Sequence, residues 1–322
     1  MRARVLGALG SLSRRLPPSR NKNRLGRLTA YLLGDPPAIR GSIGGLSLWL
    51  RPADRTASEG IWSGCYEDGL TQLLLDLLEP GMTVVDAGSN VGMIGLRLAD
   101  RLRTLGSGHV FLVEPIPANV NLLTASVQLN HLEAFCTVCE VGLADAIGSA
   151  TLLVEGKSKR SGNAGRWAPE GHRRSLTKAT IPLRTLDDLV RDAGDPRIDL
   201  MKLDVEGAEL SLLRGATRSL EKGRPLIFGE FHPGLMPRHG GTFADVMALL
   251  SPIGYQAFAI SGRRNLVEIA PEPGRGDVLL ATSERLERMT ASRPGDWHVS
   301  RHDDGAAKAS SSTAAAPTSS PD

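Results

Sequence analysis

The residues most able to do chemistry lie in three short stretches. The first, Val84-Val85-Asp86-Ala87-Gly88-Ser89-Asn90-Val91-Gly92-Met93-Ile94-Gly95, reads as an apolar strand, a glycine-bearing turn and a helix start. Glycine at such a turn lets the backbone approach a ligand closely at the carboxyl end of a strand, the edge at which open α/β sheets bind cofactors. The second is Glu114, which closes the next apolar run. It follows Gly95 by about twenty residues, the separation at which a carboxylate can accept hydrogen bonds from ribose hydroxyls. Together these two stretches predict a nucleoside-cofactor site. The third, Asp204 and Glu206, stands just past another apolar run, Ile198 to Asp204.

Charge narrows the cofactor. A dinucleotide needs G-x-G-x-x-G to cradle its pyrophosphate, whereas the position two after Gly88 is Asn90 and the next glycine, Gly92, is four after it. Asp86, Glu114, Asp204 and Glu206 all fall at or just past predicted strand ends, with no basic counterpart read in these motifs. Such a rim repels phosphate and suits a cationic sulfonium with its adjoining ribose and ammonium.

The elements that must position these residues are legible as alternation. Strands are predicted at Thr83 to Asp86, Val110 to Glu114, Phe135 to Val141, Ile198 to Asp204, Leu226 to Glu230, Tyr255 to Ile260 and Asp277 to Ala281. Helices follow Asn90, Pro117, Glu206 and Thr242, and another, Leu70 to Leu78, stops at Pro80-Gly81. Near-continuous apolar strands separated by helices predict an α/β fold. Its form is a Rossmann-like, doubly wound, mostly parallel seven-stranded sheet. Ser149 to Glu155 and Ala179 to Leu183 interrupt the alternation as an inserted hairpin around a long basic loop, Gly156 to Lys178, of the kind that shapes access to a sheet edge.

With 322 residues, 41% of them hydrophobic, the chain can build one sizeable core plus appendages. The expected division is a basic N-terminal arm over 1–40, a main domain over 41–285 and a C-terminal extension over 286–322. The Ala-, Ser- and Pro-rich end of that extension, from about 303, has no large apolar residue with which to offset the entropy of ordering. The net charge of +3 is small, but before Gly41 nine basic residues face only Asp35. That arm leaves a peripheral membrane contact open. Three cysteines cannot close a disulfide framework, so a reducing cytoplasm is the expected compartment. Cys136 and Cys139 have C-x-x-C spacing without a second ligand pair, and read as small strand residues.

At this level the chain resembles a known family. Asp86-Ala-Gly-Ser-Asn-Val-Gly92 is similar to the cofactor motif of class I methyltransferases. A wider set resembles the FkbM methyltransferases: Gly64-Cys-Tyr-Glu67, Glu114-Pro-Ile-Pro-Ala-Asn119, Thr185-Leu-Asp-Asp-Leu189, and Ile198-Asp-Leu-Met-Lys-Leu-Asp-Val-Glu-Gly207 with Glu209. The resemblance runs from about Leu46 to Thr282, and Ser89 stands where members often have alanine. It implies methyl transfer from S-adenosylmethionine, often to a hydroxyl of a natural product, sugar or lipid-linked saccharide. It implies that Asp86, Gly88, Asn90 and Gly92 line the methionine end of the cofactor and that Glu114 holds the ribose. Asp145 is then the candidate beside the adenine, and Glu67 the residue that closes over the cofactor.

Methyl transfer is an in-line displacement on a sulfonium, so the protein chiefly supplies alignment and a proton acceptor. Asp204, Glu206 and His232, in Glu230-Phe-His-Pro233, are the groups placed to take an alcohol proton. Two carboxylates can also share a divalent metal, but no histidine joins them at metal-site spacing, so no metal ligands are assigned. The Asp/Asn-Pro-Pro-aromatic loop of amino-group methylases is replaced here by Asp204-Val-Glu-Gly207, and with 4% aromatic residues there are few platforms on which to stack bases. The expected partner is therefore a small-molecule or glycan acceptor rather than nucleic acid, with oligomeric state left unassigned. A catalytically silent S-adenosylmethionine-binding scaffold is the alternative, and the intact acidic and glycine residues weigh against it.

Overall fold

The computed structural model describes residues 2–15, 20–34, 36–52, 54, 61–64, 66–155, 176–261, 264–269, 276–292 and 296–300. Two helices, α1 (Arg2–Arg14) and α2 (Arg20–Leu32), precede a hairpin of β1 (Ile39–Ile43) and β2 (Leu46–Leu50). The Gly44-Gly45 turn has φ of 56° and 87°, the left-handed pair a two-residue hairpin loop needs. Its register, Ile39↔Leu50 to Ile43↔Leu46, puts Ile39, Ile43, Leu46, Leu48 and Leu50 on one buried face. The arm is moored rather than loose: α1 packs on β1, Ser13 Oγ donates to the Trp62 carbonyl at 2.9 Å and Arg14 Nη1 to that of Ile61 at 2.7 Å. The expected boundary at residue 40 thus falls inside β1.

After α3 (Asp68–Leu77), which ends ahead of Pro80-Gly81, the alternation begins. It runs β3 (Thr83–Ala87), α4 (Gly95–Leu105), β4 (His109–Val113), α5 (Pro117–Leu129) and β5 (Cys136–Cys139). The inserted hairpin follows as β6 (Gly142–Leu143), β7 (Gly148–Glu155) and β8 (Leu176–Arg184), a small sheet of its own in the order β6-β8-β7. The chain returns through α6 (Leu186–Asp192), β9 (Leu200–Leu203), α7 (Glu209–Arg214), α8 (Thr217–Gly223) and β10 (Leu226–Glu230). It finishes with α9 (Phe243–Leu250), β11 (Tyr255–Ser261), β12 (Asn265–Glu268), β13 (Asp277–Thr282), α10 (Ser283–Ala291) and β14 (His298–Ser300).

Among the described residues the main sheet has nine strands, ordered β14-β12-β11-β13-β10-β9-β3-β4-β5. The run from β10 to β5 is parallel throughout, and β13, β11 and β12 are joined antiparallel. All seven predicted strands are present, and the doubly wound α/β class holds. The two additional strands, β12 and β14, are short strands at one end of the sheet with a single fully buried side chain between them, Leu266. Periodicity has little to detect there. Because β14 pairs with β12 and α10 spans residue 285, part of the expected C-terminal extension belongs to the main fold. Residues 301–322, with the tail expected from about 303, lie outside the described residues, as do residues 156–175 of the long basic loop.

Adjacent residues of β3 face opposite ways, as the period of a strand requires. Val84 joins the core beneath α4 and α5, while Val85 and Ala87 join that beneath α6 to α8. Covered on both faces, the strand has no polar side to show, which is why it reads as a continuous apolar run. Cys136 packs into the same interior. Burial pushes its thiol up to about 12, with Glu133 adding to the rise, and pushes Cys139 up to about 11 against the pull of Arg184. Both thiols are protonated at neutral pH, in keeping with small strand residues. The chain begins the sheet at β3, builds outward through β4 and β5, then returns to the other side of β3 with β9 and β10. The reversal between β3 and β9 is the topological switch point, where open α/β sheets bind ligands beyond the carboxyl ends of their strands.

Candidate active site

Gly88 leaves β3 with φ of 79°, and a Cβ added there would lie 2.0 Å from the carbonyl oxygen of Asp204. Any side chain would drive apart the turn after β3 and the end of β9, so glycine is required for both conformation and space. At Gly95, the first residue of α4, an added Cβ would lie 2.4 Å from Asp86 Oδ2. The Asp86 carboxylate is therefore packed against the amino end of α4, where the helix dipole favours negative charge.

Asp86 is fully buried, and neither of its oxygens has a hydrogen-bond partner of good geometry among the described residues. Its charge is matched by Lys202, which the β3–β9 register places directly opposite it. Lys202 Nζ lies 3.3 Å from Asp86 Oδ1 and 3.5 Å from Asp204 Oδ2, and donates to the Gly88 carbonyl at 3.2 Å. Burial works against the ammonium, but the attraction of Asp86, Asp204 and Glu67 outweighs it and lifts the lysine above its ordinary value. The expectation that the acidic rim has no basic counterpart is thus corrected. One lysine, itself within the quoted Ile198 to Gly207 motif, ties the Gly88 turn to the end of β9. A signal was available: a lysine inside an apolar strand covered on both faces must be paired.

Glu114, 4% exposed, stands where β4 ends. Oε2 accepts from the Asn90 backbone N–H at 2.9 Å, and Oε1 accepts from the Ile116 N–H at 2.9 Å and Asn119 Nδ2 at 3.1 Å. Asn90 reaches it through a left-handed conformation, φ 51°, which asparagine tolerates better than most residues. Burial raises the Glu114 pKa, opposed by those hydrogen bonds and by Lys202. Arg51, just past β2, donates to Asn119 Oδ1 at 2.7 Å, so the hairpin braces the carboxylate through a second residue that the sequence reading did not single out.

Beyond β9 the chain turns through Asp204 and Glu206, both half-buried. Glu206 holds φ of 54° and Gly207 φ of 107°, where an added Cβ would meet the Leu235 backbone at 2.9 Å. Glu209, 1% exposed at the start of α7, accepts from the Gly207 N–H through Oε1 at 3.0 Å and so clamps this turn. Among the described non-glycine residues with left-handed φ, His131, Asp195 and Arg224 follow helix ends, the common place for that conformation. The other three, Glu67, Asn90 and Glu206, are all predicted site residues, in line with the tendency of strained backbone to gather at functional sites.

Two further carboxylates face this edge. Glu230 ends β10 directly opposite Asp277 of β13. Burial raises the Asp277 pKa, and the repulsion of Glu230 and Asp204 raises it further. Glu67, although surface-exposed on one side, is raised chiefly by the protein packed around its carboxyl. A hydrogen bond from Tyr66 and the charge of Lys202 oppose that rise, while Asp204 and Asp277 add to it. Glu67, Asp204 and Asp277 therefore share one electrostatic field, which joins the segment before α3 to the ends of β9 and β13.

Two predicted residues are held differently. His232 Nδ1 accepts from the Gly234 N–H at 3.1 Å. In the neutral ring this leaves the proton on Nε2, a donor rather than an acceptor. Asp145 is exposed, and its backbone N–H donates to Ser211 Oγ of α7 at 3.1 Å, which fastens its turn to that helix. Among the described residues, no cluster of three or more His, Cys, Asp or Glu side chains is arranged to hold a metal ion.

Comparison with known proteins bears on the same residues. The model of the methyltransferase FkbM domain matches residues 86–257, just over half of the chain. Methyltransferase sdnD of Sordaria araneosa is 29% identical over 214 residues, covering 59% of this chain and 77% of that protein. Hexuronic acid methyltransferase AglP of Haloferax volcanii is 28% identical over 191 residues, covering 58% and 68%. 2-O-methyltransferase NoeI of Sinorhizobium fredii is 26% identical over 202 residues, covering 58% and 79%.

Proposed function

The chain belongs to the FkbM methyltransferase family and is a methyltransferase, and from that premise we propose that it moves a methyl group from S-adenosylmethionine to a hydroxyl oxygen of a small molecule, sugar or lipid-linked glycan. The observation that carries the reading is the built carboxylate Glu114. Three donors fix its plane and take up Oε1, and the lone pair left on Oε2 suits a ribose hydroxyl. Gly88 and Gly92, at φ of 79° and 88°, let the neighbouring chain turn tightly, and Asp86 and Asn90 complete the turn. This donor and acceptor set fits a nucleoside with a cationic tail and offers no cradle for a pyrophosphate.

When bound, S-adenosylmethionine supplies an electrophilic methyl group on a sulfonium. The chain's own residues supply alignment and a place for the proton. Asp204 is the proposed proton acceptor: it stands at the switch point, and Lys202 fixes its carboxylate against the cofactor turn. Glu206 and Glu67 border the same space, and Glu209 holds the turn that carries Asp204 and Glu206. With Nδ1 engaged, His232 offers the Nε2 proton, so its proposed part is to orient the acceptor rather than to deprotonate it. An oxygen acceptor is in keeping with the relatives, one named for a hexuronic acid and another for 2-O-methyl transfer.

Glu114→Ala removes the proposed ribose contact. Each hydrogen bond to a charged group is worth about 1.5–3 kcal/mol, so the S-adenosylmethionine dissociation constant is expected to rise about tenfold or more. Calorimetric titration of the folded variant reads this directly, and an unchanged constant refutes the ribose role.

A further inference from the structure

Among the described residues nine large apolar side chains are exposed, and seven of them lie on α1 and α2. They are ordered. On α1, Val5, Leu9 and Leu12 fall at i, i+4 and i+7; on α2, Leu25, Leu28 and Leu32 fall at i, i+3 and i+7, so each helix presents one apolar stripe. Exposure along the two stripes runs from 40% at Leu9 to 73% at Leu32. The inner face of α1 is separately satisfied: Leu6 and Gly10 are buried, and Ser13 and Arg14 bond the Trp62 and Ile61 carbonyls. The outward stripe is therefore not left over from a loose helix. It is presented by a moored one.

Charge selects what covers it. From Met1 to Gly34 the sequence has eight Arg and Lys residues and no Asp or Glu. A second copy would bring two segments of like charge together, and a nucleic acid would neutralise the cations but leave the leucines in water. An apolar stripe on a strongly basic helix is matched on both counts by a membrane interface rich in anionic lipid. At 13 residues each helix is about 20 Å long, short of the roughly 30 Å hydrocarbon core, so the pair lies in the interface rather than crossing it. We propose that α1 and α2 form a peripheral docking surface for anionic bilayers.

The surface adjoins the active-site segment. A Cβ on Gly64 would meet Arg14 Cδ at 2.9 Å, and Gly64 lies three residues ahead of Glu67. Docking would thus set the Glu67 side of the site beside the lipid, suiting an acceptor with an apolar anchor. That last consequence rests on the proposed function; the lipid contact does not.

The test is co-sedimentation of the full chain with phosphatidylcholine vesicles, with and without phosphatidylglycerol. Partitioning is expected to be at least about tenfold stronger with the anionic lipid, to weaken as salt is raised, and to fall about tenfold or more in Leu9→Asp/Leu28→Asp. Equal partitioning into both vesicles, or full binding by the leucine variant, overturns the proposal. So does a lipid-free dimer that the leucine variant converts to monomer, since a second copy would then cover the face. If the leucine variant melts below the wild type, Arg4→Glu/Arg15→Glu, at two exposed positions, must show the same loss of binding to anionic vesicles. Binding of either kind leaves S-adenosylmethionine affinity unchanged, which separates failure here from failure of the methyl-transfer reading.

Discussion

Lys202→Met is expected to lower the stability of the folded chain by about 3–5 kcal/mol, the usual consequence of breaking a buried ion pair from one side. Lys202 is 4% exposed and Asp86 is fully buried, so the carboxylate left behind is shut from solvent and has, among the described residues, no donor to replace the ammonium. Methionine fills similar volume, and the loss is therefore one of charge compensation rather than packing. The Gly88 carbonyl loses its donor at the same time, loosening the turn after β3. Urea unfolding at neutral pH, followed by circular dichroism, measures the difference. A change below about 1 kcal/mol would mean that Asp86 finds other compensation and that the lysine does not tie the two strands together.

Asp204→Asn is expected to cut methyl transfer by about a hundredfold to ten-thousandfold, the usual contribution of a general base, with S-adenosylmethionine affinity nearly unchanged. Asparagine keeps the shape of the side chain, and Lys202 retains Asp86 as its ion partner, so the fold is preserved. What disappears is the proposed acceptor for the hydroxyl proton. Transfer of labelled methyl, measured beside calorimetric binding, separates the two effects. A fall in turnover of less than about tenfold would move the base elsewhere, with Glu206 the next residue to test. Parallel loss of binding and turnover would instead assign Asp204 to holding the cofactor.

The parallel core of the sheet was legible because its strands are buried on both faces. Thr83–Ala87 and Leu200–Leu203 have no exposed residue, so their runs are apolar but for Thr83, Asp86 and Lys202. The turn from Asp86 to Gly92 was legible because a glycine spacing is a backbone requirement that survives in the sequence. What was not legible depends on partners far apart in the chain. The role of Lys202 emerges only when β9 is laid beside β3, and that of Arg51 only when the hairpin reaches Asn119. Glu230 and Asp277 meet only through an antiparallel pairing at the far side of β10. His232 illustrates the converse. Its residue type suggested a base, whereas a hydrogen bond from a residue two positions away decides which ring nitrogen carries the proton. The basic arm was read by composition alone, and composition cannot show that one face of α1 is moored while the other is presented.

The most direct measurement is isothermal titration of the purified full chain with S-adenosylmethionine and with its demethylated product, beside NAD as control. Micromolar binding of the first two, and none of NAD, is the expected result for a glycine turn and ribose carboxylate without a pyrophosphate cradle. A folded chain that binds neither, or that binds NAD in their place, would contradict a sulfonium-nucleoside site at Glu114.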